Sequence, residues 1–244
     1  MFQPSVPVFD GHAALGRRHD QRVAADTPDA LLRTMADAGI GRALVYHRYA
    51  VEYDTDLGNR QLLECIEGRP ALVPQFVVNM PSDAVQSFVT RTRAAGVRSI
   101  RACPKTHLYP LTRWAVGEWL DWMASDGIGL WLPLDEVDVR DVYDTVSAYP
   151  SLHVVLSGVH YSHFASLWPL VRALPNTFVE VSRFDIMDGV TLLIERIGHE
   201  RVIFGSHFPD LDPEPYLFYL HRCGLDEPAL RAICHDNLAG LLGV

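Results

Sequence analysis

Short apolar runs alternate along the whole chain with longer segments of helical periodicity. The runs are VPVFD (6–10), RALVYH (42–47), ALVPQFVVN (71–79), VRSIRA (97–102), IGLWLPL (128–134), HVVLS (153–157), TFVEVS (177–182) and RVIFGS (201–206). Each is too short for a helix and rich in β-branched residues, so eight strands are predicted. The intervening helices have readable ends. Thr27 before Pro28 is an N-cap with proline at the first helical position, and Gly39 ends that helix. Ser82 and Thr112 are placed to cap helices over 83–95 and 113–126, with Gly96 and Gly127 as stops. Asn59 is expected to start or cap another. In WAVGEWLDWM, Trp119, Leu120, Met123 and Ala124 fall at helical spacing, which marks a core-facing stripe.

Strands apolar on both faces, each followed by a helix, imply a parallel sheet covered by helices. Eight such units in 244 residues predict an α/β fold, a single (β/α)8 TIM-like barrel spanning residues 1–244. An open doubly wound sheet would have a glycine-rich first turn, and no G-x-G-x-x-G follows the first strand.

Composition narrows the partners. A hydrophobic content of 48% with 21% charged residues suits a chain with a full-sized core. The net charge of −9 and the lack of any Lys/Arg run exclude nucleic acid and anionic membrane as expected partners. A small-molecule substrate is expected, with a homo-oligomer left open. No secretory signal or bilayer-length apolar stretch occurs, which predicts a cytoplasmic protein. Cys65, Cys103, Cys223 and Cys234 are scattered, so neither a disulfide framework nor a zinc knuckle is signalled.

Barrel active sites gather at the C-terminal strand ends. Those ends supply Asp10 and His12; His47, Arg48, Tyr49 and Glu52; Asn79; Arg101 and Lys105; Asp135 and Glu136; Ser157 and His160; Glu180, Ser182 and Arg183; and Ser206, His207 and Asp210. Four of the eleven histidines therefore fall on one predicted face. Imidazoles there can ligate a metal, move protons near neutral pH or bind an anion when protonated. Arg101 and Lys105 suit a carboxylate or phosphate.

These residues carry a resemblance. FDGHAALG resembles the first-strand motif of the amidohydrolase superfamily, in its amidohydrolase-related branch of TIM-barrel hydrolases and decarboxylases. IGHERVIFGSHFPD is similar to that branch's last-strand signature, and ICHDNLAGLLG resembles its C-terminal helix, with Asn237, Leu241 and Leu242. The resemblance implies one or two divalent metals on a fixed ligand set, most of which is replaced here. The family's first-strand His-x-His reads His12–Ala13–Ala14. Its fifth-strand histidine has no counterpart in GIGLWLPLDE. Its sixth-strand histidine is met by Ser157 and Gly158, with His160 a little later. Its last-strand aspartate, which ligates metal and takes a proton from water, is His207.

Three expectations follow. The first is a hydrolase or lyase acting on a small carboxylate-bearing or cyclic ester or amide substrate with no cofactor. In it His207 is the general base, Asp10 or Glu180 orients an imidazole, His12 or His47 stabilises a developing oxyanion, and Arg101 holds the substrate anion. His160, Glu52 and Tyr49 are further substrate-binding candidates. The second is a rewired divalent-metal hydrolase, zinc-like, on His12, His160 and His207, with His47 as a substitute. The third is a non-catalytic descendant that binds a ligand or a protein.

Overall fold

The computed structural model describes residues 2–23 and 25–244. Among these residues lie nine short strands: β1 (Phe9–Leu15), β2 (Arg42–His47), β3 (Leu72–Pro74), β4 (Phe76–Val78), β5 (Ser99–Ala102), β6 (Gly129–Pro133), β7 (Val154–Ser157), β8 (Thr177–Glu180) and β9 (Val202–Ile203). The helices are α1 (Pro28–Ala38), α2 (Arg48–Glu52), α3 (Thr55–Ile66), α4 (Val85–Ala94), α5 (Arg113–Asp126), α6 (Val139–Val146), α7 (Phe164–Ala173), α8 (Gly189–Ile197), α9 (Pro213–Leu220), α10 (Glu227–Arg231) and α11 (Asn237–Leu242). The eight expected strands become nine because the 71–79 run breaks at Gln75, whose N–H turns to the Val45 carbonyl at 2.8 Å.

The strands form two sheets, ordered β1-β2-β3 and β4 through β9, and every pairing is parallel. The segment after β9 lies beside β1, where Gly11 N–H donates to the Phe204 carbonyl and Ala14 N–H to that of Phe208, both at 2.9 Å. Alternation along the strands decides what faces inward. Phe9, Leu44, Trp131, Val155 and Ile203 form one apolar cluster with Leu238, Ala239 and Leu242 of the C-terminal segment, while Val45, Ile100, Leu132, Leu156, Val179 and Val202 join the larger core beneath the helices.

Two residues further along the inward row the side chains turn polar. The successors of Leu44, Val155 and Phe178 are Tyr46, Ser157 and Glu180, and Gln75 and Arg101 stand on the same row. The period of two thus carries an apolar floor into a polar layer at the strand ends.

Most helix ends match their sequence signals. The Thr27 hydroxyl accepts from Ala30 N–H at 3.3 Å, and Gly39 and Gly127 take left-handed conformations at φ 71° and 64°. Three expectations are corrected. Thr112 stands before α5, but its hydroxyl makes no cap hydrogen bond. Ser82 does not cap α4, which starts after Ala84 without a side-chain cap; Asp83 holds that turn instead, accepting from Asn79 N–H at 2.8 Å and the Thr55 hydroxyl at 2.7 Å. Asn59 lies inside α3, which Asp54 caps, and its amide clips the Val77 backbone at 2.8 and 2.9 Å. A buried carboxamide does more there by satisfying a strand's N–H and C=O together. Trp119 is core, its indole N–H donating to the Met80 carbonyl at 2.7 Å, whereas Trp114 is exposed. No helix among the described residues is long and apolar enough to cross a membrane.

Candidate active site

Strand β1 does not run regularly: its register against β2 shifts between Asp10 and Ala13. Such an irregularity re-aims side chains, and His12 turns toward β8. There its Nδ1 lies 2.8 Å from Glu180 Oε2, with both residues buried. Glu180 also accepts from Ser182 N–H at 2.5 Å, the Ser182 hydroxyl at 3.0 Å and Gly158 N–H at 3.3 Å. Burial alone would raise its pKa, yet the attraction of His12 and these hydrogen bonds outweigh that and hold it at about 2. Glu180 is therefore ionised and can only accept, so the proton of His12 sits on Nδ1 and Nε2 is left as the basic nitrogen.

Gly205 is required by this pair. A Cβ at that position would meet Glu180 Cδ at 2.6 Å and His12 Cβ at 2.9 Å. Gly205→Ala is expected to lower the unfolding free energy by about 3 kcal/mol, the upper end of overpacking penalties, read from urea midpoints. An alanine variant as stable as wild type would show that the pair has room to move.

Asp10 is buried behind the bulge. It accepts from the Ser206 N–H at 2.8 Å, the Ser206 hydroxyl at 2.5 Å and the His12 N–H at 2.9 Å. Burial pushes its pKa up against these bonds. Of the two carboxylates expected to orient an imidazole, Glu180 touches the ring; Asp10 fixes the backbone that carries it.

His207 stands edge-on to His12, with ring centroids 4.5 Å apart and planes at 74°. Its backbone is left-handed, φ 57°, an uncommon conformation for a residue with a Cβ. Nε2 lies 3.6 Å from Asp210 Oδ2, and Nδ1 is buried without a partner. Burial, and then repulsion from the cation that His12 forms when protonated, press its pKa down to about 3, so the ring is neutral at physiological pH. Asp210 accepts from Arg48 Nη2 at 2.5 Å and Arg18 Nη1 at 3.1 Å, and despite partial burial these cations keep its pKa below the usual carboxylate value.

Arg101 is buried, donates through Nε to Gln75 Oε1 at 2.8 Å, and lies 4.3 Å over the Tyr46 ring. Its Nη2 is buried without a partner, and no ion pair reaches it among the described residues. The Tyr46 ring in turn is 6.1 Å from that of His12. A buried guanidinium without a counter-charge costs free energy that an anionic ligand would recover.

The remaining candidates are engaged locally. His47 accepts from Tyr49 N–H at 3.3 Å at the start of α2, and burial lowers its pKa. Glu52 accepts from His19 N–H at 3.3 Å and faces His19 Nδ1 at 2.9 Å. Tyr49 packs on Tyr53 with centroids 4.9 Å apart. His160 caps a single turn, its Nδ1 3.1 Å from the Ser162 hydroxyl, and its ring lies tilted against that of Tyr161. Lys105 and Asp135 are exposed. Sequence reasoning missed Tyr46, Gln75 and Arg18. The first two shared the inward row with Glu180 and were recoverable from the period of two; Arg18 had no local signal.

The donor set does not fit the divalent metal of the resemblance. His12 keeps Nε2 free as one possible ligand, but Asp10 is saturated by Ser206 and the His12 backbone, and His160 faces Ser162. Among the described residues no three His, Cys, Asp or Glu side chains converge as ligands, whereas a catalytic zinc wants three protein ligands and an open position.

The fold defines a parallel α/β protein of the TIM-barrel kind. It superposes on a TIM-barrel protein from Bordetella bronchiseptica at 13% identity and a TM-score of 0.77, covering 98% of this chain and 99% of that one. The 5-carboxyvanillate decarboxylase of Sphingomonas paucimobilis matches at 12% identity and a TM-score of 0.77 over 98% and 100% of the two chains. A Pseudomonas putida protein provisionally named 2-pyrone-4,6-dicarboxylic acid hydrolase matches at 18% and 0.72 over 98% of each. At these identities the likeness is one of fold. Residues 9–244 match the family described as Amidohydrolase, and the chain belongs to it. No curated protein matches the sequence.

Proposed function

We propose that this protein is a hydrolase or lyase acting on a small carboxylate-bearing cyclic or aromatic substrate, with His12 as its general base and no metal ion at the reacting centre. The observation that carries this reading is the buried His12–Glu180 pair. An ionised carboxylate behind Nδ1 fixes the tautomer and stabilises the imidazolium that forms when Nε2 takes a proton from water or substrate. The base role passes from His207, expected from sequence, to His12, because a ring held at a pKa of about 3 is a poor base. His207 stays neutral beside His12, so it does not repel the charge that develops there. The free edge of Arg101 is the group to receive a substrate carboxylate, and the names of two fold relatives, a decarboxylase of an aromatic acid and a hydrolase of a pyrone dicarboxylic acid, agree with that class.

The test is a panel of lactones and aromatic acids, each with and without a carboxylate, turned over with a strong chelator present. Turnover confined to carboxylate-bearing compounds and unchanged by chelator is expected. Arg101→Gln is expected to raise KM about tenfold or more for the carboxylate substrates, as loss of a charge-assisted hydrogen bond does. Chelator-sensitive turnover with near-stoichiometric bound metal would favour a metal hydrolase instead.

A further inference from the structure

His12, Glu180 and Arg101 are almost sealed, at 3%, 0% and 2% exposure, and the side chain of His207 is 22% exposed. A ligand needs a part of the mouth to yield. The segment 16–23 between β1 and α1 has no regular secondary structure; within the same connection the Gly16 N–H and Arg17 meet Asp26 at 3.0 and 2.9 Å, and polar side-chain contacts tie it to other elements at two points. Arg18 donates to Asp210 at 3.1 Å and to Asp20 at 2.7 and 2.5 Å. His19 meets Glu52 of α2 at 2.9 Å. At its root, Gly16 has φ 87°, and a Cβ there would strike the His47 ring at 2.7 Å from Cε1. That glycine can absorb backbone rotation where another residue would be strained.

The geometry points to a strap: residues 16–23 close over the barrel mouth, and Asp210 transmits their closure to His207. Among the described residues Asp210 is the acceptor shared by the strap (Arg18), by α2 (Arg48, 2.5 Å) and, at 3.6 Å, by the His207 ring. When the strap lifts, Asp210 loses the cation on Oδ1 and keeps only Arg48 on Oδ2, the oxygen that faces His207, so the carboxylate can swing about that single contact. Asp210 is thus a positioning residue, acting through His207, and Arg18 is its link to a mobile cover. Segments held by a few half-exposed ion pairs and little apolar contact open at low free-energy cost, as ligand-admitting loops must. The inference rests on the mouth being the site, though its test does not depend on turnover.

Arg18→Ala, Arg18→Lys and Glu52→Gln are compared by hydrogen exchange of peptides covering residues 16–23 and by NMR of the His207 imidazole. Arg18→Ala is expected to raise strap exchange tenfold or more and to shift the His207 ring resonances, with exchange in β5–β8 unchanged as the control for folding. Arg18→Lys, keeping the charge but not the fork, should restore both in part. Glu52→Gln cuts only the second anchor, so it should loosen the strap and leave the His207 resonances in place. Strap exchange unchanged in Arg18→Ala would overturn the strap; a loosened strap with unmoved His207 resonances would overturn the role of Asp210. Either result leaves the His12 reading standing, and turnover retained in a His12 variant, which would end that reading, would leave the strap standing.

Discussion

His12→Asn is expected to lower kcat/KM by about 10²–10⁴, the usual worth of a general base, while leaving the fold intact. The expectation follows from where the proton lies. Glu180 is ionised down to about pH 2 and takes the Nδ1 hydrogen, so the basic lone pair is on Nε2. Asparagine keeps a polar group against Glu180 and the backbone bond to Asp10, but has no nitrogen of comparable basicity. Glu180→Gln should act on the same step by another route, because an amide can present its NH2 to Nδ1 and favour the wrong tautomer, a change that costs up to about 10⁴ behind a catalytic histidine. Rates on the best substrate of the panel, with urea midpoints as the control for folding, decide the matter. A His12→Asn variant within threefold of wild type would end the proposal that His12 is the base, and a wild-type protein that turns over no compound of the panel would favour a ligand-binding descendant of the fold.

The second large effect is on stability against pH. An imidazole held at about 3 when folded has an ordinary value of 6.5 when exposed, so the unfolded chain binds a proton that the folded chain refuses. Stability from this group is complete above pH 6.5 and is lost as pH falls toward 3. Between pH 6.5 and 5 the loss is about 2 kcal/mol, at 1.4 kcal/mol per pH unit. Glu180 adds to it lower down: its carboxyl is at about 2 folded against 4.5 unfolded, so its contribution is present above 4.5 and drains away below. His207→Asn, which also suits the left-handed backbone at φ 57°, should flatten the upper limb and leave the lower one. Urea unfolding at pH 7, 6, 5 and 4 tests this; parallel curves for the two proteins would show that His207 is not the group responsible.

Much of the fold was legible because strand and helix periods are local properties. The runs at 42–47, 97–102, 128–134, 153–157 and 177–182 each coincide with an observed strand within a few residues, and Thr27, Gly39 and Gly127 end helices as their chemistry requires. The misplacements were local competitions with a tertiary partner. Asn59 was drawn from a cap to the Val77 backbone, and Ser82 yielded its turn to Asp83. The site was legible as a set of strand-end residues but not as a set of roles. His12, His47, His160 and His207 look alike in the sequence, yet one is backed by a buried carboxylate, one caps α2, one caps a turn near Tyr161 and one is desolvated.

By itself, then, the sequence determined the parallel α/β architecture, the strand ends that carry the chemistry and the family motifs, since all three are written in spacing along the chain. Only the tertiary structure decided which histidine is paired, that Arg101 lies buried without a counter-charge, and that Arg18 and Arg48 meet on Asp210. The reason is physical. Basicity, desolvation and charge pairing depend on distances between atoms on different strands, such as the 2.8 Å from His12 to Glu180 across 168 positions of chain, and no local pattern encodes them.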